Sequence, residues 1–146
     1  MRALLLTLHI LGACVWTGGH LVLATTVLPR ALARRDARIL RAFEEPFERI
    51  GIPALAVQVL TGAWLASQFA PISRWLAFGN ALETRIGVKL ILLGLTVALA
   101  LHARLRVIPR LDDSNLRFLA AHIVLVTALA VALVVVGAGF QTGVLF

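Results

Sequence analysis

All four histidines of the chain, His9, His20, His102 and His122, lie within long apolar runs of the sequence. Ionisable side chains are costly inside lipid, so imidazoles in such runs indicate function by default. His9 and His20 are eleven residues apart, which places them within roughly 20° of each other around a helix. Neutral imidazole nitrogens are good ligands for iron and other transition metals. The pattern therefore predicts metal or haem chemistry.

Three of the histidines fall at matched depth when the apolar runs are treated as membrane-spanning helices. His20, His102 and His122 each lie about five to eight residues from the same face, at a rise of ~1.5 Å per residue. We expect these three imidazoles to converge and to ligate a metal or a haem. Bis-histidine ligation would pair His20 either with His102 on a diagonal helix or with His122 on an adjacent one.

Other residues beside the histidines suit a haem. Gly18 and Gly19 leave room for a porphyrin edge next to His20. Arginines at the same face are candidate partners of haem propionates, namely Arg30, Arg104, Arg106, Arg110 and Arg117.

The histidines also have plainer interpretations as structural residues, and so do Trp16 and Cys14, which lie between His9 and His20 in the first span. A single intramembrane histidine often forms an interhelical hydrogen bond, and His102 would snorkel to the boundary. Trp16 would pack on its neighbours, and Cys14 would be a small core residue. A structural zinc site fits poorly, because such sites usually include cysteine or carboxylate ligands.

The composition places the chain in a membrane. Hydrophobic residues make up 60% of its 146 residues, and the mean hydropathy is +0.95, which leaves too few polar residues to cover a soluble domain. The net charge is +7. Because the arginines border the apolar runs, we expect contact with anionic lipid headgroups of the bilayer and no nucleic-acid partner. The single cysteine excludes an internal disulfide and covalent c-type haem attachment.

Four apolar runs are long enough to cross ~30 Å of hydrocarbon as helices. Backbone polar groups in lipid must be satisfied within the segment, and the alternation of a membrane β-barrel is absent. The predicted fold class is therefore all-α: an integral membrane antiparallel four-helix bundle that forms one transmembrane domain, residues 1–146. The spans are predicted at about 3–28, 52–70, 84–107 and 116–140.

The connections set the predicted boundaries and orientation. Pro29 is expected to end the first span, and the amphipathic segment 31–51 to form an interfacial helix. Asp113 or Ser114 is expected to cap the fourth span. Ten lysines and arginines border the 1–2 and 3–4 connections, against four on the other side. The positive-inside rule then places both termini outside, in a bacterial-type inner membrane.

Three segments resemble the CopD-like and HemJ-like group of small four-helix membrane proteins. They are LHILGACVWTGG in the first span, RIGIPALAVQVLTGAWLA in the second and ETRIGVKLILLGLTVALALHARLRVIPRL in the third. The resemblance implies a four-helix fold and matches His9 and Lys89 to the group's polar pair. It implies haem b and protoporphyrinogen oxidation if the chain is HemJ-like, and copper handling if it is CopD-like.

The three remaining histidines are additional to the group's usual positions, and they favour a different activity. We expect a b-type cytochrome that exchanges electrons with membrane quinone, a haem b:quinone oxidoreductase. His9 would then either ligate haem or serve a quinone carbonyl together with Lys89. The alternatives are a HemJ-type protoporphyrinogen IX oxidase, a copper-handling protein and a non-catalytic anchor for a redox partner. Copper translocation usually employs Met and Cys, and the chain has one of each.

Small residues in the third and fourth spans suit helix packing within or between protomers, and a homodimer is expected. They include Ala98, Ala100, Ala128, Ala130, Gly137 and Gly139.

Overall fold

The structure is a computed structural model, and it describes residues 1–112 and 115–142, with side chains up to residue 140. Four long helices make up this part of the chain: α1 Arg2–Arg34, α2 Ala37–Ser67, α3 Ala81–Arg110 and α4 Leu116–Thr142. Each is long and apolar enough to cross a membrane, and the described ranges contain no strand. The predicted all-α four-helix membrane fold is confirmed. The proposed caps Asp113 and Ser114 lie outside the described residues.

Pro29 does not end the first helix, as we expected it to. The helix widens to π geometry over Leu23–Val27 and returns to α geometry over Leu28–Arg34, with Pro29 in the first turn of that last part. Proline lacks an N–H, and its ring clashes with the carbonyl four residues earlier. The wider turn, in which the Leu28 N–H donates to the Leu23 carbonyl, accommodates the proline within a continuous helix.

Segment 31–51 is likewise not a separate interfacial helix. α1 ends at Arg34, and the next residue, Arg35, has a left-handed φ of 52°. The Asp36 carboxylate caps α2 by accepting from the Arg38 N–H at 2.9 Å. α2 then runs unbroken for 31 residues through Pro46 and Pro53. At ~1.5 Å per residue it is about 46 Å long, which exceeds a ~30 Å hydrocarbon core. Its first turns therefore project beyond that core.

The third helix also exceeds its predicted bounds. Asn80 caps it by accepting from the Glu83 N–H at 2.9 Å, so it begins three residues before the expected start at residue 84. At the other end, a π turn over Ala103–Val107 and a 3-10 turn over Ile108–Arg110 extend it. This irregular end of the helix contains Arg104, Arg106 and Arg110.

α1 packs against α2 and α4, and α3 packs against α4. The larger buried cluster lies at the arginine-rich end and includes Leu40 and Leu119. A smaller cluster joins Trp16 to Val126 and Ala130, which confirms packing as the role of Trp16. Cys14, by contrast, is exposed and is not a core residue.

Candidate metal-binding site

The structure brings two of the three depth-matched histidines into direct contact. His102 of α3 and His122 of α4 approach with 2.9 Å between Nδ1 and Nε2, respectively. Their rings are stacked, with centroids 5.0 Å apart and planes inclined by 21°. Phe118 packs edge-on against both rings. The end of α3 and the start of α4 are joined by a short connection, so residues at these positions meet.

The hydrogen bonds of this pair assign its ring protons. Nδ1 of His122 lies 3.0 Å from the Phe118 carbonyl oxygen, and since a carbonyl can only accept, this nitrogen donates. In the neutral imidazole, Nε2 of His122 is then an acceptor, so Nδ1 of His102 donates to it. Nε2 of His102 keeps a free lone pair, as a metal ligand requires.

An open cleft of about 310 Å³ adjoins the pair. One of its lining residues, Asn115, forms two hydrogen bonds with the chain before it. The Asn115 side chain accepts from the Asp112 N–H at 3.1 Å and donates to the Arg110 carbonyl at 2.6 Å. The guanidiniums of Arg106 and Arg110 form no ion pair with any described residue. The lining comprises His102, Arg106, Val107, Arg110, Asn115 and Phe118.

His20 has other partners than we expected. Its Nδ1 donates to the Trp16 carbonyl of its own helix at 2.8 Å, and its ring lies 4.4 Å from the Trp16 ring and 5.6 Å from Phe47. In the parts of the chain that the structure describes, no group of three His, Cys, Asp or Glu side chains could hold one metal ion. The assembled pair is thus His102 with His122, and neither predicted pairing of His20 is present.

The space beside Gly19 is occupied by protein. A Cβ at this position would lie 2.0 Å from Cε2 of Phe47, so the glycine admits that ring of α2 and leaves no room for a porphyrin edge. Gly18 differs, since a Cβ there would meet nothing within 4 Å. The glycine pair therefore serves helix packing at one position and faces open space at the other.

The arginines predicted to bind propionates have separate environments. Arg104 forms a salt bridge with Glu48 of α2, and Arg30 is exposed on α1. Arg106 and Arg110 line the cleft beside the paired histidines. An anion at the pair would therefore meet these last two guanidiniums.

His9 lies near the opposite end of the bundle and contacts α2. Its Nδ1 is 2.9 Å from the Thr61 hydroxyl, which itself lies 2.6 Å from the Val57 carbonyl. The hydroxyl donates to that carbonyl, so it accepts from His9. A Cβ at Gly62 would lie 3.0 Å from Cε1 of His9, so this glycine makes room for the ring.

Lys89 faces α4. Its Nζ lies 5.8 Å from the centre of the Phe140 ring, and a Cβ at Gly137 would lie 3.2 Å from Nζ. No hydrogen bond or ion pair among the described contacts links Lys89 to His9. The catalytic pairing of His9 and Lys89 thus stays a prediction.

The close contact of the two histidine rings bears on whether this pair suits a haem or a single metal ion. Two axial imidazoles on opposite faces of a haem iron require nitrogens roughly 4 Å apart, with the porphyrin between them. The 2.9 Å hydrogen bond leaves no space for a porphyrin between these two nitrogens, so a bis-histidine haem at this pair would require the two rings to move apart. The hydrogen bond instead holds the two rings side by side, so that one ion can reach a nitrogen of each ring after the His102 ring turns.

Sequence reasoning missed the residues that orient the histidines. Thr61 and Phe47 were not identified, because neither has a charge or a metal-ligating atom. Phe118 could have been found, since it precedes His122 by four residues and therefore lies on the same helix face.

A family model described as Copper resistance protein D, CopD, matches residues 37–140. No curated protein and no solved structure matches the chain. The matched segment contains His102, His122 and Lys89, whereas His9 and His20 precede it. Because the match covers well over half of the 146 residues, the chain belongs to the CopD family of membrane proteins.

Proposed function

We propose that this protein handles copper within the membrane and that His102 and His122 bind the ion. The observation that carries the proposal is the 2.9 Å approach of two imidazole nitrogens from different helices. Membership of a family described by copper resistance supports copper as the metal. Imidazole nitrogen is also a suitable ligand type for copper.

The ligand types favour Cu(II) over Cu(I) at this pair. Thiolate and thioether ligands select Cu(I), whereas nitrogen ligands in tetragonal geometry suit Cu(II). Neither sulfur residue lies at the pair, since Met1 is the N-terminal residue and Cys14 is exposed on α1. The ion is the cargo of the protein in this proposal.

Binding would exchange the hydrogen bond within the pair for two metal bonds. Nε2 of His102 already has a free lone pair, and the lone pair of Nε2 of His122 is released from its hydrogen bond when the His102 ring turns away. Each ring keeps its Nδ1 proton, so binding by both Nε2 atoms needs no proton release from the neutral pair. The Phe118 carbonyl accepts from Nδ1 of His122 and thereby orients that ring, as second-shell partners of ligating histidines do.

The contacts of His102 and His122 do not support the predictions of haem b and of quinone as partners. They remain predictions, and the absorbance spectrum of the purified protein tests them. A Soret band that disappears in the His20→Ala variant would favour the cytochrome over the copper proposal.

Copper titration of the purified full-length protein tests the proposal. We expect His102→Ala and His122→Ala each to weaken Cu(II) binding by at least about tenfold, the loss typical of a disrupted metal site. His20→Ala is the matched control, because this histidine lies at similar depth but outside the pair. The Cu(II) affinity of this variant should stay within about twofold of that of the wild-type protein. Equal affinity in all three variants would refute the assignment of the site.

A cellular assay tests the function itself. Expression of the wild-type protein should change copper accumulation, and His102→Ala at equal membrane abundance should not. Identical accumulation with wild-type and variant protein would refute copper handling through this pair.

A further inference from the structure

The arginine-rich end of the bundle contains two clefts with opposite charge balance. The cleft between α2 and α3, about 460 Å³ in volume, has Arg41 and Arg104 together with Glu44, Glu45 and Glu48. The cleft beside the histidine pair has Arg106 and Arg110, and none of its lining residues within the described part of the chain is acidic. The arginines of the first cleft therefore lie beside carboxylates of the protein, whereas no described carboxylate forms an ion pair with Arg106 or Arg110 in the second.

The turn that carries the two unpaired arginines is held in place. The π turn over Ala103–Val107 and the 3-10 turn over Ile108–Arg110 place both residues on the cleft wall. The Asn115 side-chain amide donates a hydrogen bond to the Arg110 carbonyl at the end of this segment. The Asn115 backbone N–H donates to the Asp112 carboxylate at 3.0 Å. A fixed backbone lowers the entropy that two long side chains lose when they bind one ligand.

The chemistry of the lining defines the ligand. Two guanidiniums suit a phosphate group, to which each can donate through parallel N–H groups. The cleft also has apolar walls in Val107 and Phe118, and Phe118 is 55% exposed. A free phosphate would gain nothing from the apolar walls, whereas the glycerol and acyl portion of a lipid would cover them.

We propose that the cleft formed by Arg106, Arg110, Val107 and Phe118 binds the phosphate headgroup of an anionic phospholipid. The position of these residues at the end of a membrane-spanning helix places the guanidiniums at headgroup level. Basic pockets between transmembrane helices are established binding sites for anionic headgroups. The proposal is independent of copper binding, since neither arginine is a proposed copper ligand.

The test counts lipids bound to the full-length protein by native mass spectrometry. The probes are phosphatidylglycerol, phosphatidylcholine and inorganic phosphate. The wild-type protein should retain one phosphatidylglycerol in preference to phosphatidylcholine. The variant Arg106→Gln with Arg110→Gln should weaken that binding roughly tenfold or more, and lysine at both positions should restore part of it, because charge remains but bidentate geometry is lost.

The matched control is Arg30→Gln with Arg34→Gln. These two residues are also four positions apart and exposed at the same end of the bundle, so the change in net charge is identical. Retained preference in this control, together with loss in the cleft variant, supports the site. An equal loss in both double variants, or none in the cleft variant, would overturn it. Displacement of the lipid by millimolar inorganic phosphate would overturn the lipid assignment.

Copper titration of the cleft variant separates the two proposals. Normal copper binding with lost lipid preference would support the lipid site, and it would show that the two sites act independently. If His102→Ala abolishes copper binding but the cleft variant keeps its lipid, the lipid proposal fails and the copper proposal stands.

Discussion

At the scale of residues, the ability of each histidine to bind a metal depends on whether its ring nitrogens are hydrogen-bonded or have a free lone pair. The apolar surroundings of the four histidines were evident from the sequence, as was the matched depth of three of them. Which rings meet was not evident, because that depends on the rotation of each helix about its axis. His20 turns toward Trp16 and Phe47, while His102 and His122 turn toward each other.

The His9–Thr61 hydrogen bond predicts a measurable contribution to stability. Thr61→Val keeps the shape but removes the acceptor of the His9 Nδ1 proton, so the free energy of unfolding should fall by about 1–2 kcal/mol. Thermal unfolding in detergent measures this change.

Thr96→Val is the control for that measurement. Thr96 is fully buried, and its hydroxyl bonds to the Leu92 carbonyl of the same helix, so it has no interhelical partner among the described contacts. Its replacement should cost clearly less than that of Thr61. Equal losses would show that the bond to His9 contributes nothing.

At the scale of elements, the existence of four helices was predictable and several of their ends were not. Pro29 suggested a helix end, but a π turn keeps it within α1, and α2 runs unbroken through Pro46 and Pro53. The tendency of proline to end a helix is therefore outweighed by the requirement that backbone groups in lipid form hydrogen bonds within the segment. Asp36 and Asn80 are both residue types that commonly cap helix N-termini, but only Asn80 lies next to a predicted helix start.

The two adjacent glycines of α1 should respond differently to the same substitution. Gly19→Ala places a Cβ inside the space of the Phe47 ring, so it should destabilise the protein by about 1–3 kcal/mol. Gly18→Ala meets nothing within 4 Å and should be neutral or slightly stabilising, because alanine favours helices by about 1 kcal/mol. Thermal unfolding of both variants is the measurement, and equal melting temperatures would contradict the packing of α1 on α2.

The cap of α2 should make stability depend on pH. Hydrogen bonds from Arg38 hold the pKa of the Asp36 carboxyl below its ordinary value, so the folded protein favours the ionised form. That contribution is present above the ordinary pKa and is lost as pH falls through the lowered value. Wild-type protein should therefore have a higher melting temperature than Asp36→Ala near neutral pH. The difference should shrink below about pH 4, and a constant difference across that range would contradict the ionised cap.

At the scale of the whole molecule, the family and the membrane fold agree with the sequence-based predictions, while the orientation and the homodimer stay predictions. The arginine-rich end contains both clefts and the histidine pair. If the positive-inside rule holds, this end faces the cytoplasm.

Topology reporters test this orientation directly. Alkaline phosphatase fused after the last residue should be active, because the C-terminus is expected outside, and a fluorescent protein fused there should stay dark. The reverse result would place the histidine pair at the outer face.

Pulsed electron paramagnetic resonance of the Cu(II)-loaded protein tests the central claim most directly, because it counts the imidazoles bound to the ion. We predict two imidazoles in the wild-type protein, two in His20→Ala, and at most one in His122→Ala. A spectrum without imidazole coupling, or one that changes in His20→Ala and not in His122→Ala, would contradict the account.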